Sequence, residues 1–188
     1  MLIVAIGGAV VAWAITRSEG ATAWTSVNTS SGLHSVEMPG SPTRQQEETD
    51  ASGIVLPVEV LSVGSESLDQ IDVGAVFVEA DLSAVPAIAM LTSNPEQAQL
   101  LLETQARTIF ETAGITFEAA TPAESPLGPA VRQSGRIEGR GLVVRGFAAL
   151  GRSAAVAVLV VDEAGNDAKA DRTLDRIVGS LVAIGEDG

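Results

Sequence analysis

The sequence predicts an α+β fold, in which an antiparallel β-sheet is flanked by two main helices as an α/β/α sandwich, behind an N-terminal hydrophobic helix. Three observations predict it. The first 16 residues carry no charged side chain, whereas the rest reads as an acidic globular domain. Most of the β-like runs after them are joined by turns short enough for antiparallel hairpins. Two amphipathic helices interrupt these runs at separate places.

The opening segment, residues 1–16, would form a helix of about 24 Å, slightly short of a hydrocarbon core of about 30 Å. We expect a single-pass anchor in the cell membrane, with the domain on the extracytoplasmic side. One alternative is an export signal, for which Ala12–Ala14 and Ala21–Ala23 offer cleavage sites and which would give a secreted protein. The other is a core helix, which the lack of polar positions at helical spacing disfavours.

Composition indicates one domain at residues 24–184, with a linker at 17–23 and a disordered tail at 185–188. Cysteine is absent, so no disulfide and no lipid-anchoring thiol are available. With no Tyr, four Phe and two Trp, the core must be aliphatic. The formal net charge of −13 excludes nucleic acid as an expected partner, because such a surface repels phosphates.

The first half of the domain is predicted to be β-rich. Strands are expected at residues 24–28, 33–38, 43–49, 54–63 and 73–82, separated by Gly and Pro turn signals. The third of these is polar and is expected to be exposed. Pro57 restricts the fourth to a sheet edge or to the start of a strand.

The second half begins with an amphipathic helix at residues 95–113. Ser93 or Asn94 is the expected cap, Pro95 takes the first helical position, and Gly114 ends the helix. Strands follow at residues 115–120, 130–138, 142–150 and 153–161, and a final helix at 167–182. The last strand is apolar on both faces, so we expect it at the centre of the sheet.

This order of elements resembles that of the PsbP-like, Mog-type α/β/α sandwich of secreted or membrane-anchored bacterial proteins, including actinobacterial lipoproteins. The resemblance covers residues 24–182 and includes two local motifs, Val36–Pro42 and Ile177–Leu181. It implies a binding or assembly module with no shared catalytic set. This chain departs from the lipoprotein members in having no anchoring Cys, so the anchor would be the helix itself.

No catalytic residue, cofactor or metal site is predicted. His34 is the sole histidine, and with no Cys it leaves only carboxylates for zinc. We expect it on the exposed, polar side of its strand. Asp162–Asp167 and Glu47–Asp50 lack the register of a calcium loop, so they are interpreted as a turn with a helix cap and as a solvated charge run.

Five arginines fall between residues 132 and 152, and three of them are the candidate site residues Arg132, Arg136 and Arg145. Arg132 and Arg136 are an even number of positions apart, so they share one strand face. The hypothesis is a patch for an anion or an acidic partner. The alternative is cross-strand pairing with Glu138 and other acids.

These observations predict a non-enzymatic, extracytoplasmic, membrane-anchored binding or assembly module. Its expected partners are the membrane, through residues 1–16, and a protein or cell-envelope component, through the sheet edge or loops. One alternative is a small-ligand carrier with a pocket between sheet and helices. A second is a hydrolase that uses carboxylates.

Overall fold

The computed structural model describes residues 23–50, 54–64, 74–85, 88 and 92–184. The predicted anchor or signal at residues 1–16, the linker up to residue 22 and the tail at 185–188 lie outside them. Among the described residues, none of the helices combines the length and the apolar character that crossing a bilayer requires. The α+β class is confirmed, with helices packed on antiparallel sheet.

In chain order, the described part contains the following strands and long helices: β1 Trp24–Asn28, β2 His34–Pro39, β3 Thr43–Asp50, β4 Val55–Val63, β5 Gly74–Asp81, α1 Pro95–Thr112, β6 Thr116–Ala123, β7 Ala130–Ile137, β8 Leu142–Leu150, β9 Ala154–Glu163, α2 Asp167–Gly179 and β10 Val182–Ala183. Seven strands form the main sheet in the order β3-β4-β5-β9-β8-β7-β6, and every pairing in it is antiparallel. A second sheet has the order β1-β2-β10.

The apolar strand β9 lies at the centre of the main sheet, as its sequence predicts. Strand β4 lies one position in from the edge, because the polar strand β3 covers its outer side. Pro57 is the third residue of β4, and the pairing of β4 with β5 begins only at Val58. The proline therefore lies near the start of the strand, where its missing N–H does not interrupt that pairing.

Helix α1 begins as predicted. The Asn94 Oδ1 accepts a hydrogen bond from the Gln97 backbone N–H at 3.3 Å, and Pro95 is the first helical residue. Gly114 follows the helix with φ +69°, a conformation that glycine adopts without a Cβ clash. The buried residues Leu102 and Phe110 pack α1 against one face of the main sheet.

Helix α2 and the smaller sheet cover the other face. Leu174 and Ile177 of α2 share a buried cluster with Val36 and Met38 of β2 and with Phe77 of β5. The two faces thus have separate cores, one under α1 and one under α2 with β2, which is the predicted α/β/α arrangement.

The predicted end of the last helix, at Val182, is wrong. Helix α2 ends at Gly179, and Val182–Ala183 form β10, which pairs with Ser35 and His34 of β2. The Ser180 Oγ accepts a hydrogen bond from the Glu37 backbone N–H at 2.8 Å, which joins the end of the helix to β2. The conformation of Val182–Ala183 is therefore set by pairing with the free edge of β2, a strand that is distant in sequence. The local spacing of apolar residues does not predict this pairing.

Candidate functional site

A groove with a volume of about 450 Å³ lies between the β1–β2 turn and the neighbouring strands β3, β4 and β5 of the main sheet. Its lining includes Ser30 and Ser31 from the turn. It also includes five acidic residues: Glu47, Glu48, Glu59, Glu79 and Asp81. Alternation along β3 places the Glu48 side chain on the face of Glu59 and the Glu47 side chain on the other face. The groove lies on the sheet face that α2 and β2 cover, beyond the end of their packing.

Strand pairing brings two of these carboxylates together. Glu59 of β4 lies directly opposite Glu79 of β5, and both are at least 95 % buried, with exposures of 5 % and 2 %. Alternation along a strand places Glu59 on the same face as Leu61, and Glu79 on the same face as Phe77. Like charges directly opposite in a sheet destabilise it, so each carboxylate needs its own partners.

Glu79 is bound by the β1–β2 hairpin. His34 Nδ1 lies 2.5 Å from Glu79 Oε2, and the Ser31 hydroxyl donates to Oε1. Because an ionised carboxylate only accepts hydrogen bonds, His34 Nδ1 is the donor of this pair. The expectation that His34 is exposed is wrong: it is 5 % exposed, because the smaller sheet turns the His34, Val36 and Met38 side of β2 inward.

Glu59 is bound from two directions. Its Oε2 accepts from the Ser30 backbone N–H at 2.6 Å, and its Oε1 accepts from the Ser30 hydroxyl and from Arg44 Nε, both at 3.0 Å. Arg44 also donates to the Asn28 carbonyl at 2.6 Å. All four oxygens of Glu59 and Glu79 therefore accept hydrogen bonds from within the protein.

The local sequence explains why two serines reach these carboxylates. The turn is closed by Thr29, whose N–H donates to the His34 carbonyl at 2.8 Å and whose hydroxyl accepts from the His34 N–H at 3.1 Å. Gly32 adopts φ +73° within it. The Ser31 Oγ accepts from the Leu33 N–H at 3.0 Å, which fixes the hydroxyl above β5.

Sequence reasoning missed this site, although a signal for it exists. The strands that contain Glu59 and Glu79 are otherwise largely apolar, and each has its acidic residue at a buried position. A charged residue inside a buried strand requires a partner. That rule could have singled out these residues, but not the hairpin residues that bind them.

The structure brings the predicted residues Arg132, Arg136 and Arg145 to the face covered by α2. Each of them is paired: Arg132 with Asp175 (2.6 Å), Arg136 with Glu118 (2.6 Å) and Asp167 (3.3 Å), and Arg145 with Asp167 (2.5 Å) and Asp171 (3.0 Å). These acids come from β6 and from α2, where a spacing of four residues places them on one helix face. Binding of an external anion by these arginines stays a prediction.

This ion-pair cluster shifts two pKa values. The hydrogen bond that Arg136 donates to Glu118, followed by the charges of Glu118 and Asp167, raises the pKa of Arg136. Burial alone would raise the pKa of Asp167. The hydrogen bond and charge of Arg145 and the charge of Arg136 outweigh it, so the pKa of Asp167 lies below its ordinary value of 3.8.

We expect Asp167→Asn to destabilise the protein at neutral pH but not in acid. A carboxylate with a lowered folded pKa stabilises the fold above about pH 4, and this contribution is lost as the pH falls through the folded pKa. The unfolding midpoint of Asp167→Asn should therefore fall below that of the unaltered protein at pH 7, and the difference should shrink as the pH falls below the ordinary carboxylate pKa of about 4.

The effect should be modest and should shrink at about 1 M NaCl, because these side chains are partly exposed and salt screens them. Glu96→Gln is the matched control, since Glu96 also lies in the first turn of a helix, without an arginine pair among the described residues. If the unfolding midpoints of Asp167→Asn and the unaltered protein differ by the same amount from pH 7 to pH 2, the lowered pKa assigned to Asp167 is wrong.

The acidic turn after β9 is organised by Asp162. Its Oδ1 accepts from the Glu163 N–H at 2.8 Å and from Asn166 Nδ2 at 2.9 Å, and its Oδ2 pairs with Lys169 Nζ at 2.9 Å. The predicted turn is thus present, although Asn166 makes no side-chain capping bond to α2. Within the described ranges, no three His, Asp or Glu side chains are arranged to hold a metal ion.

Comparison with known proteins gives structural likeness but no sequence match. No family model matches the sequence, and no curated protein matches it. Among solved structures, the chain is similar to LpqN, described as involved in cell envelope biogenesis of Mycobacterium tuberculosis, with a TM-score of 0.39 and 9% identity over 87% of this chain and 91% of that chain. This degree of likeness carries no functional argument, and the PsbP-like resemblance stays a prediction.

Proposed function

We propose that this chain is a non-enzymatic binding module of the cell envelope, anchored by residues 1–16 with its domain on the extracytoplasmic side. Its acidic groove binds a positively charged group of its partner. The observation that supports this is the groove itself, about 450 Å³ in volume with five acidic residues in its lining. That volume falls within the about 300–1,000 Å³ of ligand sites. A concave wall of one charge sign concentrates ions of the other sign.

The contacts of the buried carboxylates favour binding over catalysis. A general acid, base or nucleophile needs an atom directed at the substrate. The oxygens of Glu59 and Glu79 are instead all engaged by the hairpin and by Arg44. They hold the floor of the groove in place, while the Glu48 side chain is exposed on the same face and is accessible to a ligand.

The geometry gives less support to a carrier of apolar molecules. Such pockets are lined mainly by apolar and aromatic side chains, whereas Val58 and Pro57 are the apolar residues that line this groove. A cleft also lies between the main sheet and α2, where a carrier pocket was expected. Its volume is about 160 Å³, and Arg132 and Arg145 line it. Both sites therefore suit ionic ligands.

Calorimetric titration of the full chain with spermine, in a non-ionic detergent at low salt, tests the proposal. We expect saturable binding that salt weakens, and about two- to thirty-fold weaker binding by the double variant Glu47→Gln/Glu48→Gln, from about 0.2–1 kcal/mol per exposed ion pair. The chain should be extracted from the membrane fraction. Recovery from the cytosol would contradict the anchor.

The control variant is Glu96→Gln/Glu111→Gln, which removes the same charge from α1 on the opposite face of the sheet. Equal weakening by both double variants would mean that net charge, and not the groove, attracts spermine. No saturable binding would overturn the groove as the binding site.

A further inference from the structure

The main sheet has two outer strands, β3 and β6, and they differ in how they are protected. Strand β6 has a register shift between Phe117 and Ala119 and contains Pro122. Both features disrupt the regular row of backbone groups to which another strand would pair. At this end of the sheet, the fold therefore discourages strand addition.

Strand β3 has neither form of protection. It pairs with β4 in an unbroken register from Thr43 opposite Ser62 to Asp50 opposite Val55, and it contains no proline. Among the described residues, β3 has a strand neighbour on one side only. Its other side presents the backbone N–H and C=O groups of alternate residues along the eight-residue strand.

The charge at this edge selects the kind of strand that could pair there. Glu47 and Glu48 of β3 are exposed and line the acidic groove. Arg44, on the same strand, is held by Glu59 and by Ser30, so its charge is already paired. A second strand laid along β3 would therefore meet an excess of carboxylates, which favours a basic sequence and opposes an acidic one.

We propose that the outer edge of β3 accepts an extended, basic segment of a partner protein as an eighth strand of the main sheet. Backbone hydrogen bonds to β3 supply affinity. Lysine or arginine side chains at alternate positions, about 6.6–6.8 Å apart, lie on the groove face, where the Glu48 carboxylate is exposed. The inference rests on the proposed function for the site of charge recognition, and it adds the backbone pairing and the extended form of the ligand.

Hydrogen–deuterium exchange on the full chain, in non-ionic detergent, tests this pairing. The probe is an eight-residue peptide that alternates lysine with threonine, compared with the same peptide N-methylated at its internal amides and with spermine. We expect the unmodified peptide to slow exchange of the Thr43–Asp50 amides at least about tenfold, and the methylated peptide to bind at least about tenfold more weakly. Spermine should bind without slowing β3 exchange.

The outcomes separate the two proposals. If both peptides bind equally, lose affinity in Glu47→Gln/Glu48→Gln and leave β3 exchange unchanged, strand addition is overturned and the charge-binding groove stands. If spermine and both peptides fail to bind, the groove function fails as well. If β3 amides are protected without peptide as protein concentration rises, a second copy of the chain occupies the edge, which also overturns the inference.

Discussion

Glu79→Ala should lower the free energy of unfolding by about 3–5 kcal/mol, one of the two largest effects that we expect from a single substitution. Glu79 is 2 % exposed and accepts from His34 Nδ1 and the Ser31 hydroxyl. Alanine would leave the buried His34 Nδ1 without this acceptor, whereas the exposed Ser31 hydroxyl could bind water instead. Domains of this kind are stable by only about 5–15 kcal/mol, so the loss is a large fraction of the total.

Urea denaturation followed by circular dichroism measures this effect, which should move the midpoint down by about 1–3 M. Glu47→Ala is the control, because it removes an exposed carboxylate from β3, two strands away from Glu79, and should change stability by less than about 0.5 kcal/mol. The double variant Glu79→Ala/His34→Ala should lose clearly less unfolding free energy than the sum of the two single variants. Each single variant already breaks the hydrogen bond between these two residues, so the second change cannot break it again. Additive costs would contradict a coupled pair.

Local chemistry explains which elements the sequence could predict. The cap at Asn94, the proline at Pro95 and the glycine at Gly114 are adjacent to the helix they delimit, so α1 could be placed to within a residue. The apolar run of β9 is buried on both faces, which only a central position in the sheet allows. In each case the residues that favour the structure lie within the segment or next to it, so the local sequence predicts the element.

The elements that could not be predicted depend on contacts between distant segments. The alternating pattern of apolar and polar residues in β2 does not show which face of the strand is buried. The packing of the smaller sheet on β5 turns His34, Val36 and Met38 inward. Strand β10 exists because β2 had a free edge. Tertiary packing overrides local preference in this way wherever a strand can pair on more than one side.

The candidate site could not be predicted either, because it also depends on contacts between distant segments. Arg132 and Arg136 of β7 could be placed on one face from their spacing, but the aspartates that pair with them and with Arg145 belong to a helix about 20–40 residues further on. The acidic groove requires the register that sets Glu59 opposite Glu79, together with a hairpin from the start of the domain. Neither the register nor the docking is encoded within one segment.

Phe110→Ala should also cost about 3–5 kcal/mol, for a different reason. The Phe110 side chain is fully buried between α1 and the main sheet, and its ring meets that of Phe117 edge to face, with centroids 5.9 Å apart and an interplanar angle of 82°. Gly135 of β7 lies beneath it, where an added Cβ would stand 2.8 Å from Phe110 Cδ1. Truncation therefore leaves a cavity that is bounded on one side by β-sheet backbone, which cannot move in to fill it.

The matched change is Phe110→Leu, which keeps most of the volume and should cost less than about half as much. In the Phe110→Ala background, Gly135→Ala should be less harmful than in the unaltered protein, because one of its clashes is removed. It should not become favourable, since the same Cβ would still meet the Thr116 carbonyl oxygen at 2.8 Å, and that atom belongs to the β6 backbone. Urea midpoints at an unchanged m-value measure all three variants. A loss below about 1 kcal/mol for Phe110→Ala would mean that α1 moves toward the sheet, and the rigid packing inferred for this face would then be wrong.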